Sequence, residues 1–183
     1  MMKKNKINKI LCVAALSGIL ALTGCGASKD KETTKNVNLS DVQKAVSEAY
    51  GEDYVPDYQF DEEYIADVFG VSKDLYDEAI AEGAKVSFNI DTFVAIKAKE
   101  GKGEEVYKLL SDYKEAQISD AMQYPTNAIK IQASQVTRHG DYVFFTCLGV
   151  VSADSEEAGD DAILKEAQED NAIAVDTIDK CFE

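Results

Sequence analysis

Apolar residues recur along this chain at two spacings. Leu39, Val42, Val46, Ala49 and Tyr50 fall three or four apart, which places them on one face of a helix. Ser40-Asp41-Val42-Gln43 at its start has the form of a capping box. The stretch 51–58, with Pro56, breaks the pattern. Tyr64, Ile65, Val68 and Phe69 then share one side of a short helix over 61–69, and Gly70 stops it. Leu75, Tyr76, Ala79 and Ile80 repeat the spacing and predict a further helix over 72–83.

The period then changes to two. Val86, Phe88 and Ile90 alternate with Lys85, Ser87 and Asn89, and an apolar run over 93–99 follows Asp91-Thr92. These read as a pair of strands joined by a turn or bulge. Gly101-Lys102-Gly103 interrupts, and Glu104 and Glu105 suit the N-terminus of a long helix carrying Val106, Leu109, Leu110 and Tyr113 to about Tyr124-Pro125. A third strand is expected over 129–137. Arg138-His139-Gly140-Asp141 makes a tight turn, and 142–151 is the most apolar strand and the expected sheet centre. After a polar loop, a last helix starting at about Glu156 or Asp160 and running to Cys181 brings Ile163, Leu164, Ala167, Ala174, Ile178 and Phe182 into an apolar stripe. The sum is an α+β fold: a four-stranded antiparallel sheet of two hairpins joined by a long helix, with helices packed on one face.

The N-terminus follows a different logic. Lys3, Lys4, Lys6 and Lys9 precede an apolar run over 10–22, a pattern of export signals. The run falls short of the roughly 20 apolar residues a spanning helix needs. Leu22-Thr23-Gly24-Cys25 resembles a bacterial lipobox. The resemblance implies removal of residues 1–24, a diacylglycerol on Cys25, and attachment to the outer face of the cell membrane. Residues 25–38 are polar and read as a flexible tether with an end-to-end distance on the order of 20 Å. Residues 39–183 form a single domain.

Charge narrows the partners. The formal net charge is −15, and the first 24 residues hold lysines but no acid, so the remainder is more acidic still. Phosphate backbones select basic surfaces, so nucleic acid is an unsuitable partner. Of the four cysteines, Cys12 lies in the signal and Cys25 is the lipidation site. Cys147 and Cys181 remain. Export permits a disulfide between them if the last helix packs on the strand that holds Cys147, and buried free thiols are the alternative.

Catalytic motifs are scarce. His139 is the only histidine and sits in a turn, which suits neither a Ser-His-Asp nor a Cys-His site. Gly101-Lys102-Gly103 lacks the spacing of a phosphate loop. Asp154, Glu156 and Asp160 are the calcium candidates. Asp154, Glu156 and Gly159 match three positions of an EF-hand loop, but Ala158 and Lys165 stand where oxygen ligands are needed. No cofactor or firm metal site is expected. Tyr54 and Tyr58, flanking Pro56, are the candidate binding surface, because exposed tyrosines suit contact with protein or glycan.

The order Asp91-Thr92-Phe93-Val94-Ala95-Ile96-Lys97-Ala98-Lys99, Gly-Lys-Gly, a long helix, Tyr124-Pro125 and Gly140-Asp141-Tyr142-Val143-Phe144 is similar to a family of small Gram-positive lipoproteins classed as a domain of unknown function. The resemblance carries no catalytic residues. The chain as a whole reads as an accessory or binding module outside the membrane, for which a cell-envelope protein or a glycan is the expected partner. The alternatives are an accessory or substrate-binding component of surface-polymer modification, or an enzyme that cleaves glycans with a pair of carboxylates.

Overall fold

The computed structural model describes residues 35–86, 88–120 and 124–183. Helix α1, Leu39–Tyr50, begins on Asn38 rather than Ser40: the Asn38 side chain accepts from the N–H groups of Ser40 and Asp41. Strand β1, Tyr58–Gln59, and helix α2, Glu62–Asp67, follow, and α2 is capped by Asp61. Then come β2, Tyr76–Gly83, β3, Thr92–Ala98, and the long α3, Gly103–Ser119. Helix α4, Pro125–Lys130, precedes the hairpin of β4, Gln135–His139, and β5, Tyr142–Cys147. Two helices close the chain, α5, Ala153–Ala158, and α6, Asp160–Cys181, parted by Gly159 at φ 101°.

The fold is α+β with an antiparallel sheet, but the sheet has five strands, in the order β1-β2-β3-β5-β4. Three expectations change. The stretch expected as a helix over 72–83 is a turn followed by β2, which pairs with β3 from Ala79↔Ile96 to Gly83↔Thr92. Its apolar spacing fits either state, and main-chain partners on both sides decide for the strand. The alternating stretch expected as a strand has no strand among its described residues, and Val86 and Phe88 are exposed. The expected strand over 129–137 is the end of α4, a single turn, and then β4.

Helices cover both faces of the sheet, not one. On one face Val94, Ile96, Val143, Phe145 and Cys147 pack with Ile65 of α2 and Val106 and Leu110 of α3. On the other, Phe93, Ala95, Phe144 and Leu148 pack with Leu39, Val42 and Val46 of α1 and Ala174 and Ile178 of α6. The cause lies in β3 and β5, whose residues are apolar on alternate and intervening positions alike, so each face needs its own cover. Strand β5, expected at the centre of the sheet, lies beside it, and β3 holds the middle. Among the described residues, no helix is long and apolar enough to cross a membrane.

Candidate functional site

Strands β3 and β5 define two ends of the sheet. Lys97 pairs with Tyr142 at one end and Thr92 with Cys147 at the other. Just past the second end, Asp91 enters β3 and the chain leaves β5 at Leu148 and Gly149. Lys130, the last residue of α4, reaches this point with its ammonium. It pairs with Asp91 Oδ1 and donates to the carbonyl of Gly149. Gly149 N–H donates to Asp91 Oδ2 at 3.2 Å, and Asp91 N–H donates to Asn89 Oδ1 at 2.7 Å. Both charged side chains are buried. Burial raises the Asp91 carboxyl above its ordinary range even with Lys130 beside it.

The loop after β5 is held from α6. Asn171, also buried, accepts from Leu148 N–H and donates to the Ala133 carbonyl. Asp170 accepts from Val150 N–H at 3.1 Å, and Glu166 accepts from both the N–H and the hydroxyl of Ser152. A side chain at Gly149 is not tolerated: φ is 117°, and a Cβ would lie 2.4 Å from that of Asp170.

On this floor opens a cleft of about 330 Å³, walled by residues 88–91, the first turn of α4, α5 and residues 149–151. Phe88, Asn89, Thr126, Asn127, Val150 and Glu156 line it. Its walls are tied together: Asn127 Nδ2 donates to the Phe88 carbonyl at 2.7 Å, and the Thr126 hydroxyl donates to Glu156 Oε1 at 3.3 Å. Phe88 is 62% exposed and Val150 50%. A second cavity of about 300 Å³ shares Gly149 and Val150 and holds Tyr50, Asp53, Glu166 and Asp170. Burial and the nearby Glu166 raise the Asp170 carboxyl, while the Ser152 N–H lowers that of Glu166.

The chain that arrives from the N-terminus joins the sheet at its other end. Asn36 Oδ1 accepts from the Tyr142 hydroxyl at 2.8 Å and from Lys97 Nζ at 2.9 Å, and Val37 N–H donates to the same hydroxyl. The length of a seven-residue strand, roughly 20 Å, lies between that entry and the cleft.

The residues singled out in the sequence are dispersed. Cys25 lies outside the described residues. Tyr54 donates to the buried Glu82 carboxylate, which Gln43 also reaches, and its ring lies against Tyr50. Tyr58 sits on the edge strand β1, 52% exposed, with its ring edge on Phe60. The two tyrosines therefore do not form one aromatic patch. Asp154 and Glu156 lie in the first turn of α5, and Asp160 in that of α6. Among the described residues, no group of three or more His, Cys, Asp or Glu side chains is placed to hold a metal ion.

Cys147 and Cys181 are free thiols. Cys147 is buried against the α3 face, whereas Cys181 packs on the α1 and α6 face, so the sheet separates them. Burial pushes the Cys147 thiol up to about 12. His139 is buried, stacked on Phe182 with centroids 4.3 Å apart, and its Nε2 is 2.9 Å from Asp179. The Gly101-Lys102-Gly103 turn does bind an anion, but it is the protein's own. Gly101 and Gly103 N–H groups donate to the Asp141 carboxylate.

Sequence reasoning passed over Asp91, Lys130 and Asn171. Asp91 read as a turn residue and Lys130 as part of a strand. The available signal was an acid placed directly before an apolar strand, where burial demands a partner.

Comparison with known proteins gives one match. Residues 49–148 fit the family described as Domain of unknown function (DUF4358), from the end of α1 through β5. No curated protein and no solved structure matches the chain. The matched segment includes all five strands, Asp91 and Lys130, and it covers more than half of the chain. This chain therefore belongs to the DUF4358 family.

Proposed function

We propose that this protein is a lipid-anchored extracytoplasmic accessory module that binds its target through the cleft beside Asp91 and Lys130. The anchor would be a diacylglycerol on Cys25, after removal of residues 1–24, as in the small Gram-positive lipoproteins that the chain resembles. One observation carries the binding role. The open cleft, rimmed by exposed Phe88 and Val150, lies at the end of the sheet opposite to the entry of the chain at Asn36 and Val37. A domain tethered at one end presents its other end away from the bilayer. The floor of the cleft is built from charges that neutralise each other, which suits a fixed scaffold better than an acid or a base in turnover.

The test has two arms. Metabolic labelling with an alkyne fatty acid should mark the native chain and not Cys25→Ala; continued labelling of the variant would end the anchoring reading. A photo-crosslinking residue at position 88 should capture envelope material in cells, and one at position 97 should not. Equal capture at both ends would refute the assignment of the cleft. Support for a role in surface-polymer modification would come from polymer attached at position 88.

The carboxylate enzyme retains one specific observation in its favour. Glu166 and Asp170 share a cavity, and their environments push their carboxyls in opposite directions. Both, however, accept hydrogen bonds from the 149–152 backbone. Turnover of a glycan that is lost in Glu166→Gln and Asp170→Asn would favour the enzyme over the module.

A further inference from the structure

We infer that the cleft takes an uncharged saccharide unit. This rests on the binding role proposed above and names the class of ligand. Charge is the first argument. Lys130 is the only cation among the described residues that line the cleft, and its ammonium is committed to Asp91 and the Gly149 carbonyl. The remaining charge on the wall is Glu156, and the whole chain is acidic. A phosphate or carboxylate ligand would meet repulsion with no compensating cation. A quaternary ammonium ion is held by several aromatic faces, and among the described residues the cleft offers one ring, Phe88.

The polar groups that remain are neutral and of both kinds. Asn89 uses its Oδ1 on Asp91 N–H and keeps its Nδ2 donors. Asn127 uses its Nδ2 on the Phe88 carbonyl and keeps its Oδ1 acceptor. Glu156 carries further acceptor capacity, and Thr126 a hydroxyl. A hydroxyl group is both donor and acceptor, so a ring bearing several of them can satisfy this mixture. Phe88 is exposed beside these groups. The negative face of its ring suits the polarised C–H groups on one side of a pyranose.

Size and rigidity agree with that occupant. About 330 Å³ is near the lower limit for small-molecule sites, enough for one or two sugar rings and open to a longer chain outside. The bonds from Asn127 to Phe88 and from Thr126 to Glu156 hold the walls before a ligand arrives, which reduces the ordering cost of a weak, neutral contact.

The full chain in detergent would be titrated with N-acetylglucosamine, its tetramer and glucose, followed by saturation-transfer NMR and calorimetry. Inorganic phosphate and spermidine would serve as charged probes. At least one neutral sugar should bind saturably, with affinity unchanged between on the order of 50 and 500 mM salt, because no charge pair is there to be screened. Phe88→Ala should weaken it by about tenfold or more, whereas Val68→Ser, on a surface remote in sequence from every wall, should not. Binding of phosphate or spermidine at position 88 without any sugar would overturn the saccharide assignment and leave the binding role standing. Sugar binding that is indifferent to Phe88→Ala would overturn the assignment to this cleft. Silence from all probes, together with no capture by the crosslinker at position 88, would overturn both.

Discussion

Asp91 and Lys130 show how a buried ion pair acts at the scale of single residues. Removing both charges from water is costly, and the pair offsets that cost through its mutual attraction and its bonds to Gly149. Asp91→Ala leaves the Lys130 ammonium buried without its carboxylate, so a loss of about 3–5 kcal/mol is expected. The double variant Asp91→Leu with Lys130→Met removes both charges and should recover most of it. Urea melts of the single and double variants measure this. A double variant no more stable than the single one would mean that the pair also sets the loop geometry. Neither residue was legible as a partner of the other in the sequence. They stand 39 positions apart, and only the fold, which sets the end of α4 beside the start of β3 and the exit from β5, brings them together.

Among the elements, α5 and α6 are coupled to pH through Glu166. Its carboxylate accepts from Ser152, the residue that caps α5, and is held below its ordinary value of 4.5. A depressed folded value means that the contribution is fully present above 4.5 and is lost as pH falls through the lower folded value. Protection of the Ser152 and Ser155 amides, taken relative to their intrinsic exchange rate at each pH, should therefore fall on acidification through that window. Glu166→Gln should exchange faster at neutral pH and show a flatter profile. An identical profile in the variant would detach the cap from Glu166. The same helix α6 is core on its other side: Ile163, Ala167, Ala174 and Ile178 are buried. Ile178→Ala should cost about 2–5 kcal/mol, and truncation before Ile163 several times the roughly 1.5–3 kcal/mol of one buried aliphatic side chain. Equal thermal midpoints for truncated and full chains would contradict the packing of α6 on the sheet. The apolar stripe that made α6 legible is the same one that buries it. The stretch 72–83 had an equally good stripe, and it became β2, because a short apolar repeat is shared by helix and strand until neighbours choose.

At the scale of the whole molecule, the domain begins earlier than its apolar pattern suggests. Asn36 and Val37 bond to Tyr142, and Asn38 caps α1, so these residues act with the domain and not with the tether expected over 25–38. A chain starting at Leu39 should fold but melt lower than one starting at Lys35, by about 1 kcal/mol for the lost cap alone. Equal melting would return these residues to the tether. By itself, the sequence determined what depends on neighbours along the chain: α1, α3 and α6 from their apolar stripes, the β4–β5 hairpin from Gly140-Asp141, and the net acidity. It also holds the lipobox-like segment, which is read as a linear motif. Tertiary structure alone decided what depends on contacts distant in the chain. These are the fifth strand, the second helical layer, the separation of Cys147 from Cys181, and the cleft. The physical reason is that each depends on long-range contacts. A strand needs partners, a buried charge needs a counter-charge, and a cavity needs walls, and here each is supplied by residues tens of positions away.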